Sequence, residues 1–154
     1  MSQKAVLFVC LGNICRSPMA EVALRAEAVA QGIALTIDSA GTSGYHAGEG
    51  ADPRAIAEAA RHGIDLSRHR ARRVVPEDFT RFGHIFAADQ QNLNDLRTIA
   101  PRRPLTRVGL LLDVVPGRAG EAVIDPYYGD AHDFGAAWDD VAQAARHIVA
   151  MLAR

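Results

Sequence analysis

Apolar runs and helix-forming segments alternate along this chain. Residues 5–9 are apolar and partly β-branched, the pattern of a strand covered on both faces in a parallel sheet. A turn at Gly12 and Asn13 follows. Ser17 and Pro18 then suit a helix N-cap and first turn. The spacing predicts a helix from there to about residue 30, ended by Gly32.

The same alternation continues to the last residues. The pattern predicts strands at 33–37, 84–88 and 108–114 (core 108–112), a glycine-rich loop at 41–52, a helix from Asp52 to about His62, one capped by Asp89 and closed before Pro101, and one at about 134–152. Strands that alternate with helices favour an α/β fold. We expect a single domain over 1–154, with a four-stranded parallel sheet flanked by helices on both faces. Ligands bind beyond the carboxyl ends of such strands, which is where the segment after residue 9 lies.

Size and charge narrow the class of protein. A chain of 154 residues suits one domain with its own core. Its formal net charge of −1 argues against a general nucleic-acid or membrane-surface binder, and the arginines at 68, 70, 72 and 73 are interpreted as a solvated surface. No signal peptide and no apolar stretch of ~20 residues is evident. Two cysteines make neither a disulfide framework nor a zinc site, so we expect a reducing, cytoplasmic compartment.

The segment from Cys10 to Ser17 carries the predicted chemistry. A strand, a glycine-containing turn and a helix start aim several backbone N–H groups at one point beside the positive end of a helix dipole. That point suits a phosphate and also favours the thiolate of Cys10, the predicted nucleophile. Arg16 can reach back and hold two phosphate oxygens in a planar fork. The predicted phosphate-binding residues are Leu11, Gly12, Asn13, Ile14, Cys15 and Arg16.

Three other interpretations of this segment fit the sequence less well. An ATP-binding loop would end in Gly-Lys-Ser/Thr, which is absent here. A redox Cys-x-x-Cys motif needs two residues between the thiols, whereas Cys10 and Cys15 have four. Cys10 could also be a small buried apolar residue at a strand end, but its position between a buried strand and a Ser-Pro helix start favours a catalytic site.

Residues 9–18, Val-Cys-Leu-Gly-Asn-Ile-Cys-Arg-Ser-Pro, resemble the signature loop of the low-molecular-weight protein tyrosine phosphatases. The resemblance covers essentially the whole chain. It continues through segments 38–43, 52–54, 62–64, 67–72 and 125–127. It implies an enzyme that hydrolyses phosphotyrosine or aryl phosphates without cofactor or metal, with inorganic phosphate and other oxyanions as inhibitors.

A second motif, Asp125-Pro126-Tyr127, is a candidate for the proton donor to the leaving group. From the residues alone, an ordinary turn aspartate is equally compatible with it. The resemblance implies that Asp125 is the general acid, with Asp130 the less favoured candidate.

The resemblance also implies supporting roles around the loop. A cleft for the substrate ring is expected from Ile14, Tyr45, Tyr127 and Tyr128. Hydrogen bonds that hold the loop in shape are expected from Asn13, Ser17, Ser39 and His69.

Several alternatives stay open at this point. Arsenate reductases that recycle through disulfides need cysteines beyond the loop, and none follows Cys15. Phosphoarginine phosphatases of this scaffold tend to carry threonine where this chain has Ile14. A non-catalytic phosphate-binding module is disfavoured because Cys10, Arg16 and Asp125 occur together. We further expect a monomer, and a Cys10–Cys15 disulfide on oxidation.

Overall fold

The computed structural model describes residues 2–102 and 104–154. Four parallel strands form its sheet, in the order β2-β1-β3-β4. Their bounds are β1 Ser2–Cys10, β2 Thr36–Gly41, β3 Phe82–Ala87 and β4 Arg107–Leu110. The helices are α1 Arg16–Gln31, α2 Pro53–Arg61, α3 Asp78–Arg81, α4 Gln90–Ile99 and α5 Ala131–Leu152, with a 3₁₀ turn at Leu111–Val114.

Alternate residues of β1 enter two separate cores. Val6 and Phe8 lie in the cluster formed with α1, α2 and α5. Leu7 and Val9 lie in the cluster formed with α3 and α4. The buried strand and the four-stranded parallel sheet with helices on both faces are therefore confirmed. Among the described residues, no helix combines the length and apolar character needed to cross a bilayer.

The second strand lies further along the chain than predicted. The segment 33–37 was expected, but β2 spans Thr36–Gly41. Gly32 ends α1 at a positive φ of 67°, and the Ile33 amide still bonds back to the Ala28 carbonyl. The apolar residues just after the helix therefore belong to the connection. The strand itself is set by its register with β1, from Ala5 opposite Thr36 to Cys10 opposite Gly41.

The fourth strand is shorter than the predicted 108–114. It pairs with β3 only from Arg107 to Leu110 and then turns into the 3₁₀ segment. Asp113 makes this turn, because one carboxylate oxygen accepts from the Leu110 amide at 3.3 Å and the other from the Gly120 amide at 2.8 Å. Leu111 and Leu112 are buried without being part of the strand.

Two of the predicted helix starts agree with the structure and two differ from it. The caps Asp52 and Asp89 are confirmed, since each carboxylate accepts an amide of its own first turn at 2.8 Å. Ser17 is not an N-cap: α1 begins at Arg16 with Cys15 in the cap position. Asp130 caps α5, which consequently begins at Ala131 instead of 134. The one-turn helix α3 was not predicted.

His84 on β3 supplies a pH-dependent contribution to stability. Its ring is buried and stacks on Phe86 with 5.9 Å between centroids. Burial, and secondarily the nearby Arg107, lower the pKa of His84 below its ordinary value. The unfolded chain therefore binds a proton near pH 6.5 that the folded chain does not yet bind. This contribution is present above about pH 6.5 and is lost as the pH falls towards the folded-state pKa.

We expect His84→Phe to flatten the dependence of unfolding free energy on pH between about 7.5 and 5.5. The measurement is urea unfolding of the wild type and the variant at several pH values. The same substitution at the exposed His132 is the control. Equal slopes for the wild type and His84→Phe would contradict the assignment.

Candidate active site

The loop from Cys10 to Arg16 joins the end of β1 to the start of α1. It borders a cavity of about 500 Å³ that Cys10, Ile14, Cys15 and Arg16 share with the segments around residues 45 and 125. The Thr42 and Ser43 amides fix the loop by donating to the Cys10 and Leu11 carbonyls, both at 2.9 Å. A Cβ on Gly41 would stand 2.7 Å from the Leu11 carbonyl oxygen, so this close approach requires glycine.

Asn13 lies at the centre of the loop in the left-handed region, with φ 57°. Its side-chain amide donates to Ser17 Oγ at 2.8 Å and to Ser39 Oγ at 2.9 Å. Its side-chain oxygen accepts the Arg72 amide at 3.0 Å, and its backbone carbonyl accepts His69 Nε2 at 2.7 Å. Those bonds hold the fully buried Asn13 in a backbone conformation that is costly for a residue with a side chain.

Ser17 is thereby directed at the nucleophile. Its oxygen lies 3.0 Å from Cys10 Sγ and accepts from Asn13. The Ser17 proton has Cys10 Sγ and the Ala40 carbonyl, at 3.4 Å, as acceptors. A serine hydroxyl that donates to sulfur stabilises a thiolate. This engagement explains why Ser17 does not cap α1.

One edge of the Arg16 guanidinium is anchored by hydrogen bonds to the protein. Its Nη1 donates to Asp89 Oδ2 at 2.7 Å and to the Val123 carbonyl at 2.9 Å. Burial lowers the pKa of Arg16, but nearby Cys10 and the hydrogen bond to Asp89 outweigh it, so the net shift is upward and the guanidinium stays charged. Its Nη2 lies 3.6 Å from Asp125 Oδ2. Arg16 therefore keeps one edge anchored while its other edge lies beside Asp125 in the cavity.

Asp125 stands at the cavity edge with its neighbouring aromatic residues. Its Oδ1 accepts the Tyr127 amide at 3.1 Å. Tyr127 and Tyr128 meet edge to face with 5.0 Å between centroids. Tyr45 and Tyr128 also line the cavity and are 83% and 96% exposed, so both are available to a substrate ring. Asp130 is not among the lining residues, because its carboxylate caps α5.

Cys15 borders the same cavity and is a free thiol, like Cys10. Burial is the main cause that raises the pKa of Cys15, and the negative charge of Asp52 adds to it. Cys15 therefore remains a protonated thiol at neutral pH. The two sulfurs of the loop have different chemistry, and only Cys10 has a hydroxyl donor positioned beside it.

Comparison with known proteins decides the family. The model of the low molecular weight phosphotyrosine protein phosphatases matches residues 5–154. This chain belongs to that family. A low molecular weight protein-tyrosine-phosphatase of Streptomyces coelicolor is 43% identical over 150 residues, covering 94% of this chain and 91% of that protein.

Solved structures of the family have the same fold. The protein tyrosine phosphatase of Entamoeba histolytica, crystallised with Hepes in its active site, superposes with a TM-score of 0.91 at 33% identity, covering 97% of this chain and 96% of that one. A Drosophila arginine phosphatase superposes with a TM-score of 0.90 at 30% identity, covering 97% and 98%. The chain is thus a low molecular weight protein tyrosine phosphatase, and its fold is shared with a solved structure named as an arginine phosphatase.

Some functional residues of this family member were not foreseen. Asp89 was predicted only as a helix cap, although it also holds Arg16. Its place directly after a buried strand, at the carboxyl edge of the sheet, was the available signal. Ser43 and His46 line the cavity, and their only signal was proximity to Tyr45 in a glycine-rich loop.

Among the described residues, the one group of side chains that could together hold a metal ion lies outside the cavity. This group consists of the exposed Asp130, His132 and Asp133, whose possible ligand atoms lie within 4.8 Å of one another. Asp130 and Asp133 accept each other's backbone amides at the start of α5. These carboxylates are thus engaged in capping the helix.

Proposed function

We propose that this chain hydrolyses phosphotyrosine in proteins, and aryl phosphates in general, through a cysteinyl-phosphate intermediate. The observation that carries the proposal is the shared cavity. Cys10 and Arg16 border it from one loop, Asp125 borders it from another, and Arg16 Nη2 lies 3.6 Å from Asp125 Oδ2. A nucleophile, a charge clamp and a proton donor around one space are what phosphoryl transfer to a protein side chain requires.

In the first step, the Cys10 thiolate attacks phosphorus and the bond from phosphorus to the phenolic oxygen breaks. Asp125, protonated, gives its proton to the departing oxygen, so that a neutral phenol leaves. The transferring group is stabilised by Arg16 and by the backbone amides of residues 11–16. Arg16 is oriented for this before substrate arrives, because Asp89 and the Val123 carbonyl hold its Nη1.

In the second step, Asp125, now a carboxylate, takes a proton from a water molecule as that water attacks phosphorus. The sulfur–phosphorus bond breaks, orthophosphate forms, and Cys10 leaves as a thiolate. Ser17, 3.0 Å from Cys10 Sγ, supports the sulfur as a leaving group by donating its hydroxyl proton. Both protons of the cycle therefore pass through Asp125.

Preference for tyrosine is supported by the cavity walls. Ile14 offers an apolar surface near the floor, and Tyr45, Tyr127 and Tyr128 stand around the rim. An aromatic ring gains about 1 kcal/mol from each well-placed aromatic neighbour. A phosphoarginine substrate carries a charged guanidinium that gains nothing from the methyl groups of Ile14. Recycling arsenate reduction has no support, because the chain has only two cysteines.

The decisive experiment compares peptides of one sequence that carry phosphotyrosine, phosphoserine or phosphoarginine. We expect turnover of the phosphotyrosine peptide and of p-nitrophenyl phosphate, with Cys10→Ser as the blank. Faster turnover of phosphoarginine would overturn the substrate assignment. Binding of phosphopeptides without turnover would favour a non-catalytic module.

We also propose that Cys15 protects Cys10 from over-oxidation. Cys15 is a protonated thiol at neutral pH, so peroxide is expected to oxidise Cys10 first. Cys15 then attacks the Cys10 sulfenic acid, and a disulfide forms with release of water. Peroxide should therefore inactivate the enzyme reversibly, with a dithiol restoring activity, and Cys15→Ser should be inactivated irreversibly. Mass mapping of the inactive wild type without a Cys10–Cys15 disulfide would refute this.

We also propose that the protein is a cytoplasmic monomer. A reducing cytoplasm suits an enzyme that depends on a free Cys10 thiol. One chain supplies Cys10, Arg16 and Asp125 to the same cavity, which supports a monomer that works as a single domain. Sedimentation of the active enzyme would test the monomer.

A further inference from the structure

Arg54, on the first turn of α2, makes a two-point ion pair with the residue that caps its own helix. Its Nε lies 3.1 Å from Asp52 Oδ1 and its Nη2 lies 2.9 Å from Asp52 Oδ2. Asp52 is buried. Burial raises the pKa of its carboxyl, but hydrogen bonds from the Arg54 side chain and backbone outweigh this and lower it. The pair therefore stays charged at neutral pH and fixes the plane of the guanidinium.

The other side of the same guanidinium holds the segment that carries Asp125. Nη2 also donates to the Tyr127 carbonyl at 2.8 Å, and Nη1 donates to the Gly129 carbonyl at 3.1 Å. The plane lies over the Tyr127 ring at 5.6 Å and over the Phe134 ring at 4.6 Å. The Tyr127 and Gly129 carbonyls and the Tyr127 ring thus fix the chain just after Asp125, and the Phe134 ring on α5 supports the guanidinium.

Asp52 connects this arrangement to the nucleophile loop. Its backbone amide donates to the Ile14 carbonyl at 2.9 Å, inside the segment between Cys10 and Arg16. The Asp52–Arg54 pair therefore joins the loop that holds the nucleophile to the loop that holds the proton donor. Arg16 also joins these two loops, because its Nη2 lies 3.6 Å from the Asp125 carboxylate. The Asp52–Arg54 pair differs in holding the backbone of the segment after Asp125 rather than that carboxylate.

We propose that Arg54, oriented by Asp52, is the positioning residue that holds Asp125 at the distance needed to protonate the leaving group. This inference rests on the proposed function, since it assigns a support to the proposed general acid. Arg54 is absent from the residues that line the cavity, so it acts through the loop and not on the phosphate. A lysine could not replace it, because one ammonium cannot hold a carboxylate at two points and two carbonyls in one plane.

The test is the dependence of kcat/KM on the leaving group, because kcat/KM covers the steps up to phosphoryl transfer to Cys10. General acid catalysis is worth about 10²–10⁴-fold when the leaving phenol is weakly acidic, and little when its anion leaves readily. We expect Arg54→Met to lose about 10²-fold with phenyl phosphate and only a small factor with 2,4-dinitrophenyl phosphate. Arg54→Lys should show the same pattern. Arg118→Met removes another two-point paired arginine, bound to Glu121 and Asp140, and should change neither rate.

A double-mutant cycle separates positioning from general stabilisation. If Arg54 acts through Asp125, adding Arg54→Met to Asp125→Asn should cost little more with phenyl phosphate. Equal losses with both esters, or the full loss on the Asp125→Asn background, would overturn the proposal while leaving the phosphatase reaction intact. Absence of turnover in the wild type would instead refute the proposed function.

Asp52→Asn provides a second variant should Arg54→Met fail to fold, since asparagine retains the helix cap but weakens the hold on Arg54. We expect the same leaving-group dependence with a smaller loss. An Asp52→Asn enzyme that slows both esters equally would count against the proposal.

Discussion

Replacing Cys10 with serine is expected to remove turnover while inorganic phosphate still binds. Serine lacks an ionised nucleophile at neutral pH, and the loss on removing an enzyme nucleophile is on the order of 10⁴-fold or more. The loop itself should persist, because Asn13 makes its hydrogen bonds to Ser17 and Ser39 independently of the sulfur. Turnover of p-nitrophenyl phosphate and calorimetric titration with phosphate measure the two halves of this prediction.

A burst of phenol release that precedes steady turnover is the matching expectation for the wild type, since a cysteinyl phosphate accumulates if its hydrolysis is slow. Cys15→Ser should lose far less than Cys10→Ser. Full turnover by Cys10→Ser would contradict the mechanism, because no other cysteine beside Cys15 is present in the chain.

Arg16→Lys is the second large expected effect. Arg16 binds Asp89 and the Val123 carbonyl through Nη1, which leaves its other donors for phosphate. A lysine ammonium can satisfy Asp89 or the substrate but cannot present the same planar fork. Loss of one such preorganised donor costs about 10²–10³-fold. We expect that loss in kcat/KM for p-nitrophenyl phosphate.

The control for this prediction is Arg118→Lys, which makes the same substitution at an ion-paired arginine held by Asp140 at 2.8 Å. It should leave kcat/KM at the wild-type value. Thermal unfolding of both variants separates lost catalysis from lost folding. An Arg16→Lys enzyme within threefold of the wild type, folded and saturable, would show that the planar fork is not needed.

Local patterns were sufficient for the central strand of the sheet and for two helix starts. The continuous apolar run of β1 and the Asp52 and Asp89 caps depend on neighbouring residues, so periodicity and capping rules found them. The position of β2 depends on its register with β1, which is information from elsewhere in the chain. Asp113 similarly ends β4 through contacts with Leu110 and Gly120, and no local rule foresees them.

The same division applies to the site. Cys10 and Arg16 share one short segment, so the chemistry of that loop could be argued from residue types and spacing. The assignment of Asp125 needed the resemblance, because an aspartate before a proline is common in turns. Asp89 was predicted as a helix cap but not as the anchor of Arg16. The cap depends on neighbouring residues, whereas the contact with Arg16 forms only when distant parts of the chain come together.

The separation in sequence between Arg16 and its anchors has a consequence for the order in which a ribosome delivers the site. The arginine lies 73 residues before Asp89 and 107 before Val123. Cys10 therefore leaves the ribosome before the groups that complete its surroundings. A nascent chain would carry this thiol without its finished anion site until Asp89, Val123 and Asp125 have also been made. The rate at which iodoacetate alkylates Cys10 would accordingly report formation of the site, because Cys10 is buried in the folded chain.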